Sequence, residues 1–210
     1  MSQTQYERFR SQLIEFHTAF KAPIARSFSE ARQDQCALRV NLISEEYAEY
    51  KKAEDRHLVI DGLTDTLYVV VGTAITVGID PMVVELPPPP VSPTPFKTLF
   101  DGQIIGLVRK LTERVLCYRG LLSHLTEVYH KINQASVNYG FSLTTAMNIV
   151  HASNMTKLWS ANEKDHLMTA AGELYTFEES GYPNRYIIKR KLDGKVIKPP
   201  SFVAPDLLSL

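Results

Sequence analysis

Apolar residues recur at three- and four-residue steps along most of this chain, which is the pattern of amphipathic helices. In the first segment, from about residue 5 to residue 20, the apolar positions are Tyr6, Phe9, Leu13, Phe16 and Phe20. Pro23 ends that helix, because proline has no backbone N–H to donate. The same period predicts further helices over residues 34–54, 57–79, 98–116, from Gly120 to about 139, and 143–159.

One segment fits two kinds of element, and it runs from Leu67 through Val69-Val70-Val71 to Ile75. Its β-branched residues favour a strand, whereas the length of the segment and the acidic pair at its front favour a helix. We predict a helix. The apolar run from Leu67 to Ile79 is too short to span a bilayer, so no membrane partner is expected.

Prolines and a change of pattern divide the rest of the chain. Pro87-Pro88-Pro89-Pro90 lies in a stretch, residues 86–95, that we interpret as a stiff polyproline-II connector. Residues 186–198 look like two short strands around the Asp193-Gly194 turn. The pattern therefore predicts an all-α fold with a short C-terminal β-hairpin-like tail. Residues 1–158 would form a helical domain containing the connector, and residues 159–210 a C-terminal extension.

Five carboxylates stand at helical spacings in two neighbouring segments. They are Glu45, Glu46, Glu49, Asp61 and Asp65. On two packed helices these acids would face each other across one cleft, where like charges repel unless a cation neutralises them. Carboxylate oxygens suit Mg²⁺ or Mn²⁺, and Mg²⁺ is usually held together with substrate phosphates. The alternative is a solvated acidic helix face beside Lys51 and Lys52.

Charge and cysteine content indicate which cellular compartment and which binding partners to expect. The 210 residues carry a formal net charge of +0, so no overall field attracts nucleic acid or an anionic membrane. The two cysteines have no metal-type spacing, and the N-terminus is too polar for a signal peptide. We expect a cytoplasmic protein without a nucleic-acid or membrane partner.

Four stretches together resemble the all-α nucleoside triphosphate pyrophosphohydrolases, which include MazG, dimeric dUTPases and phosphoribosyl-ATP pyrophosphohydrolases. These stretches are residues 42–49, 61–74, 151–158, and the tail pieces 193–198 and 205–207. The resemblance is to a branch seen in phages and bacteria, which includes MazZ-type dGTP diphosphohydrolases. It implies a MazG-like helical bundle that assembles as a homodimer or homotetramer (a dimer of dimers), with residues 159–210 covering or flanking the active site.

The resemblance also assigns roles to the acids. Glu46, Glu49 and Asp65 match the Mg²⁺ ligands of the family, which binds two to three Mg²⁺ or Mn²⁺ ions. Glu45 and Asp61 would complete the cluster, as ligands or as the base that activates water. One departure is visible, because the family's second motif is usually Glu-x-x-Asp and Gly62 stands at its first position. Asp61, four residues before Asp65, is the expected substitute.

Polar residues outside the acidic segments are the candidates for binding substrate. His151, Asn154 and Lys157 share one helical face, and by resemblance Asn154 and Lys157 contact the nucleotide or its phosphates. Lys195 and Lys198 lie in the matching part of the tail and would bind leaving phosphates. The alternative for all of them is ordinary surface polarity, with His151 as a structural hydrogen-bonding residue.

The expected reaction is (d)NTP + H₂O to (d)NMP + diphosphate, with a purine substrate, dGTP or GTP, favoured. Damaged nucleotides, dCTP and dUTP remain open as substrates. One alternative is a phosphoribosyl-ATP pyrophosphohydrolase of histidine synthesis, and another is a non-catalytic helical binding or scaffold oligomer. If a phage encodes the protein, its site of action would be the host cytoplasm.

Overall fold

Seven α-helices and a small antiparallel sheet form the part of the protein that the computed structural model describes, residues 4–80, 96–113, 115–192 and 194–210. The helices are α1 (Gln5–Ala19), α2 (Gln33–Lys52), α3 (Arg56–Thr76), α4 (Phe96–Thr112), α5 (Tyr118–Asn138), α6 (Leu143–Met155) and α7 (Ala161–Ala171). The strands are β1 (Trp159–Ser160), β2 (Tyr175–Glu179) and β3 (Arg185–Arg190). The predicted all-α class with a small C-terminal β element is confirmed. The proline-rich connector at 86–95 lies outside the described residues.

Helix α3 is the centre of the bundle and packs against α1, α2, α5 and α6. Leu63 and Leu67 on this helix are fully buried, as is Ile60 one turn before them. Neighbours on several sides explain why its sequence lacks a polar face and why a strand was a reasonable alternative. By length and composition α3 could cross a membrane, but 78% of its most apolar window is buried inside the protein, as in a core helix.

Gly62 marks the closest approach of α3 to α2. A Cβ atom on Gly62 would lie 2.7 Å from the Cα atom of Tyr50, which is closer than real Cβ contacts. The position three residues before Asp65 therefore faces the backbone of α2 and has no room for a side chain. The absence of a glutamate at this position follows from the packing of the two helices.

We expect Gly62→Ala to lower the free energy of unfolding by about 1–3 kcal/mol, because α2 must move to admit the methyl group. Gly102→Ala is the matched control, since Gly102 also lies in a helix but has open space around its Cα atom. That control should gain up to about 1 kcal/mol from helix propensity. Urea unfolding of both variants measures the difference, and equal effects would contradict the close approach at Gly62.

The C-terminal sheet has the order β1-β3-β2, with all neighbours antiparallel. A helix was predicted as far as residue 159, but α6 ends at Met155 and Trp159 begins β1 instead. Helix α7 was not predicted, although Ser160 and Glu163 form a capping box at its start. The strand predicted after residue 186 is present, whereas its expected partner is reduced to a single bridge between Lys189 and Val196. Asp193 of the predicted turn lies outside the described residues.

The last ten residues return to the helices and are tied to α6. Ser153 Oγ donates a hydrogen bond of 2.7 Å to the carbonyl of Val203, and the Val203 amide donates to Thr156 Oγ1 at 3.0 Å. Leu207 is buried in the main hydrophobic core. This return holds the segment carrying Lys195 and Lys198 beside the end of α6.

Candidate active site

Helices α2 and α3 bring the five predicted acids into electrostatic contact. Burial raises the pKa of Glu46 to about 7, and the charges of Glu49, Glu45 and Asp61 act in the same direction. Burial raises the pKa of Asp65 to about 8, with Glu46 as the next largest cause. Carboxylates that shift one another's pKa upwards are close neighbours, and the charge of Lys157 offsets only part of the shift for Glu46 and Asp65.

Asp61 completes this group and carries a buried atom without a partner. Burial and the charge of Glu49 raise its pKa, and its Oδ1 atom makes no hydrogen bond within the described residues. A buried acceptor of this kind is suited to a hard cation such as Mg²⁺ or Mn²⁺, which prefers carboxylate oxygens. Glu45 is exposed and lies at the edge of the cluster, next to Glu46.

The carboxylates are neighbours, but they do not form a finished coordination shell. Among the described residues, no three histidine, cysteine, aspartate or glutamate side chains converge closely enough to hold a metal ion. Glu49 is exposed on α2 and free to change rotamer, so the donor set fits a divalent cation once the charges are compensated.

Three predicted lysines interact electrostatically with the acids or with one another. Lys157 follows the end of α6, and burial lowers its pKa, with further lowering by Lys198 and Lys195. Asp65 and Glu46 oppose that shift, so Lys157 stands between the carboxylates and the two tail lysines. Carboxylates beside a group of cations are an arrangement suited to metal ions and the phosphates that they accompany.

A cavity of about 150 Å³ opens beside Glu46 and Asp65. Asn154 and Lys157 line it near the acids. The remaining lining residues are Leu13, Phe16, His17, Arg39, Leu42, Tyr68 and Val69. The cavity lining thus combines charged and polar groups with apolar and aromatic ones.

Residues 13–85 match the model of the phosphoribosyl-ATP pyrophosphohydrolase family. This segment contains α2, α3, all five predicted acids and most of the cavity wall. This match supports a relationship of residues 13–85 to the MazG-like, all-α nucleoside triphosphate pyrophosphohydrolase superfamily. The family supports a pyrophosphohydrolase activity on nucleotides in the broad sense, a hydrolysis of phosphoric anhydrides. No curated protein and no solved structure gave a significant match to the chain.

His151 lies behind the cavity wall. Its Nε2–H donates to the Glu15 carboxylate at 3.2 Å, which leaves Nδ1 to accept from the Tyr68 hydroxyl at 3.0 Å. The Tyr68 hydroxyl also hydrogen-bonds the side chain of Asn154. Both ring nitrogens of His151 are therefore occupied, and the residue positions Tyr68 and, through it, Asn154. It was predicted among the substrate-binding residues, and the cavity lining does not include it.

Sequence reasoning missed two polar residues of the cavity, His17 and Arg39. The signal for them was their place in the helical pattern, because Arg39 lies between Cys36 and Ile43 on the buried side of α2. His17 likewise follows Leu13 by one turn of α1. A charged or polar side chain within an apolar stripe must find partners in the interior. Such a position is therefore a signal for a buried polar site.

Proposed function

We propose that the protein hydrolyses a nucleoside triphosphate to the monophosphate and diphosphate, with Mg²⁺ or Mn²⁺ held by the acids of α2 and α3. The observation that carries the proposal is the upward shift of pKa shared by Glu46, Asp61 and Asp65, with Lys157 on the opposite side. Repelling carboxylates at the mouth of a cavity are costly unless a cation binds there.

Each group has a role that follows from its position. Glu46, Glu49, Asp61 and Asp65 would hold two to three ions, which supply charge neutralisation and lower the pKa of the attacking water. In the proposed reaction a water molecule would attack the α-phosphorus, the bond from the α-phosphorus to the bridging oxygen would break, and diphosphate would leave. Glu45 would accept the proton of the water, or Asp61 would do so if it is not used as a ligand.

The cations of the site would bind the leaving group. Lys157 lies nearest the acids and balances charge on the departing diphosphate. Lys195 and Lys198 are exposed on the tail and are positioned by its return to α6. Asn154 would contact the nucleotide from the cavity wall, and His151 would keep Tyr68 and Asn154 in place.

A purine substrate, dGTP or GTP, is the form of the proposal that we favour. The cavity beside the acids has aromatic walls, Phe16 and Tyr68, whose ring centroids are 5.5 Å apart in an edge-to-face arrangement. Apolar and aromatic walls with a few polar groups are the usual lining of a small-molecule site. Assembly as a homodimer or homotetramer in the cytoplasm belongs to the same proposal.

Product analysis with a panel of ribo- and deoxynucleoside triphosphates and phosphoribosyl-ATP tests the reaction. With Mg²⁺ or Mn²⁺ present, we expect a purine triphosphate to yield monophosphate and diphosphate in equal amounts, and no orthophosphate. The same incubations with EDTA are the control and should show no turnover. Cleavage of phosphoribosyl-ATP alone would assign the protein to histidine synthesis. No turnover on any compound would favour the binding or scaffold alternative.

A further inference from the structure

A buried guanidinium lies at the end of the cavity away from the lysines. Arg39 is 8% exposed, and its Nε and Nη2 atoms donate to Thr73 Oγ1 at 3.1 Å and to the carbonyl of Val69 at 2.8 Å. Within the described residues it forms no ion pair with a carboxylate. A guanidinium has five N–H donors in a planar fork, so these two bonds leave donors available to a molecule in the cavity.

His17 lies beside Arg39 and presents an acceptor. Its Nδ1–H donates to the carbonyl of Pro23 at 2.7 Å, so its Nε2 atom carries the lone pair. Burial, and next the charge of Arg39, lower the pKa of His17 to about 4, which keeps the ring neutral at physiological pH. A donor and an acceptor therefore stand side by side in the interior.

Arg39 and His17 both reach the place that a side chain on Gly72 would occupy. A Cβ atom on Gly72 would lie 2.5 Å from Arg39 Nη2 and 3.0 Å from His17 Nε2. Both side chains thus approach the same point on α3, two turns beyond Asp65. The absence of a side chain at Gly72 lets the guanidinium and the imidazole converge.

The two ends of the cavity differ in chemistry and in distance from the acids. Lys198 acts on Asp61, at the start of α3, and Lys157 acts on Asp65 and Glu46. Arg39 instead bonds to Val69 and Thr73, further along the same helix. A nucleotide with its phosphates at the lysine end would lie along α3, with its base towards Arg39 and His17.

We propose that Arg39 and His17 form a base-recognition subsite that selects a lactam edge, such as that of a 6-oxopurine. Arg39 would donate to the exocyclic oxygen O6, and the neighbouring N1–H would donate to His17 Nε2. Adenine in the same position places an amino donor against the guanidinium donors and a ring-nitrogen lone pair against His17 Nε2. This assignment rests on the proposed function, since it requires a nucleotide in the cavity.

Calorimetric binding of purine deoxynucleoside monophosphates, in Mg²⁺, tests the subsite without any hydrolysis. The ligands are dGMP and dIMP, which have the lactam edge, and dAMP and the monophosphate of 2-aminopurine deoxyriboside, which lack it. We expect the first two to bind tighter than the last two by roughly tenfold to a hundredfold. Equal binding of all four, or no binding of any, would overturn the subsite.

Substitutions of Arg39 and His17 test whether these two residues cause the base selectivity. Arg39→Met should reduce the ratio of dIMP to dAMP affinity at least roughly tenfold, and His17→Phe should reduce it in the same direction. The ratio is measured within one variant, so a general loss of stability cancels from it. Arg32→Met is the matched control, because Arg32 is exposed at the start of the same helix and pairs with Asp34.

Binding of inorganic diphosphate separates base recognition from phosphate binding. Arg39→Met should leave the affinity for diphosphate unchanged, since the phosphates lie at the lysine end. If diphosphate and dGMP lost affinity together, Arg39 would be a phosphate ligand and the subsite would be wrong. Hydrolysis without base selectivity would reject the subsite alone, whereas lactam-selective binding without hydrolysis would reject the proposed reaction alone.

Discussion

Asp65→Asn is expected to lower the rate of triphosphate hydrolysis by roughly a hundredfold to a thousandfold. Asp65 on α3 interacts with Glu46 of α2 and with Lys157, and its pKa is raised to about 8. The substitution keeps the size of the side chain and removes the charge that would hold a divalent cation. Steady-state rates with Mg²⁺ and with Mn²⁺, using separated products, provide the measurement.

Two comparisons make that result specific to the site. Far-UV circular dichroism of Asp65→Asn should match the unsubstituted protein, because an amide fits the same space. Glu54→Gln removes one exposed acidic charge just after α2 and should keep near-normal activity. A rate for Asp65→Asn close to that of Glu54→Gln would remove Asp65 from the site.

The stability of the metal-free protein is expected to fall as pH rises from about 5 to about 8. The pKa of Asp65 is raised to about 8 and that of Glu46 to about 7 in the folded protein. Between the unfolded and folded pKa values the folded state binds more protons, so protonation favours folding and its loss opposes folding. The contribution is complete below the unfolded pKa of the carboxyl groups and lost above about pH 8.

Thermal unfolding in EDTA, at several pH values, measures this slope in the unsubstituted protein and in Asp65→Asn. The difference between the two isolates the acid cluster, because other titrating groups are common to both. We expect the unfolding midpoint of Asp65→Asn to change less with pH than that of the unsubstituted protein. The difference should be several degrees across the range, because about 1 kcal/mol shifts the midpoint by roughly 2–4 °C in a protein of this size. Saturating Mg²⁺ should abolish or reverse the slope, because the cation replaces the protons. Parallel slopes would show that Asp65 ionises freely.

The helices that bury an apolar stripe were predictable from the sequence. The predicted segments at 5–20 and 34–54 correspond to α1 and α2 within one or two residues at each end. Helix α7 has no buried residue and therefore no apolar stripe. Its capping box was the sequence signal that indicated a helix. Strand pairing was less accessible, because β3 pairs mainly with β1 and β2 and makes a single bridge to the segment that follows it.

The candidate site likewise contains residues that were identified from the sequence and residues that were not. Acids at helical spacing were identifiable because a cluster of like charges has few structural explanations. Arg39 and His17 were not identified, since charged and polar residues in an amphipathic helix are normally assigned to its exposed face. Their burial depends on Gly72 of another helix, and a relation between three helices is not visible in the local pattern of any one of them.

The hydrogen bonds behind the cavity also connect elements that would have to separate during local unfolding. They run from Asn154 through Tyr68 and His151 to Glu15, which also accepts from the Tyr182 hydroxyl at 3.0 Å. This series takes members from α6, α3 and α1 and from the loop between β2 and β3. Separating the loop from α1 would leave partners without bonds in each of these elements. We therefore expect the cavity wall and the C-terminal sheet to exchange amide hydrogens as one cooperative unit, although they are far apart in the sequence.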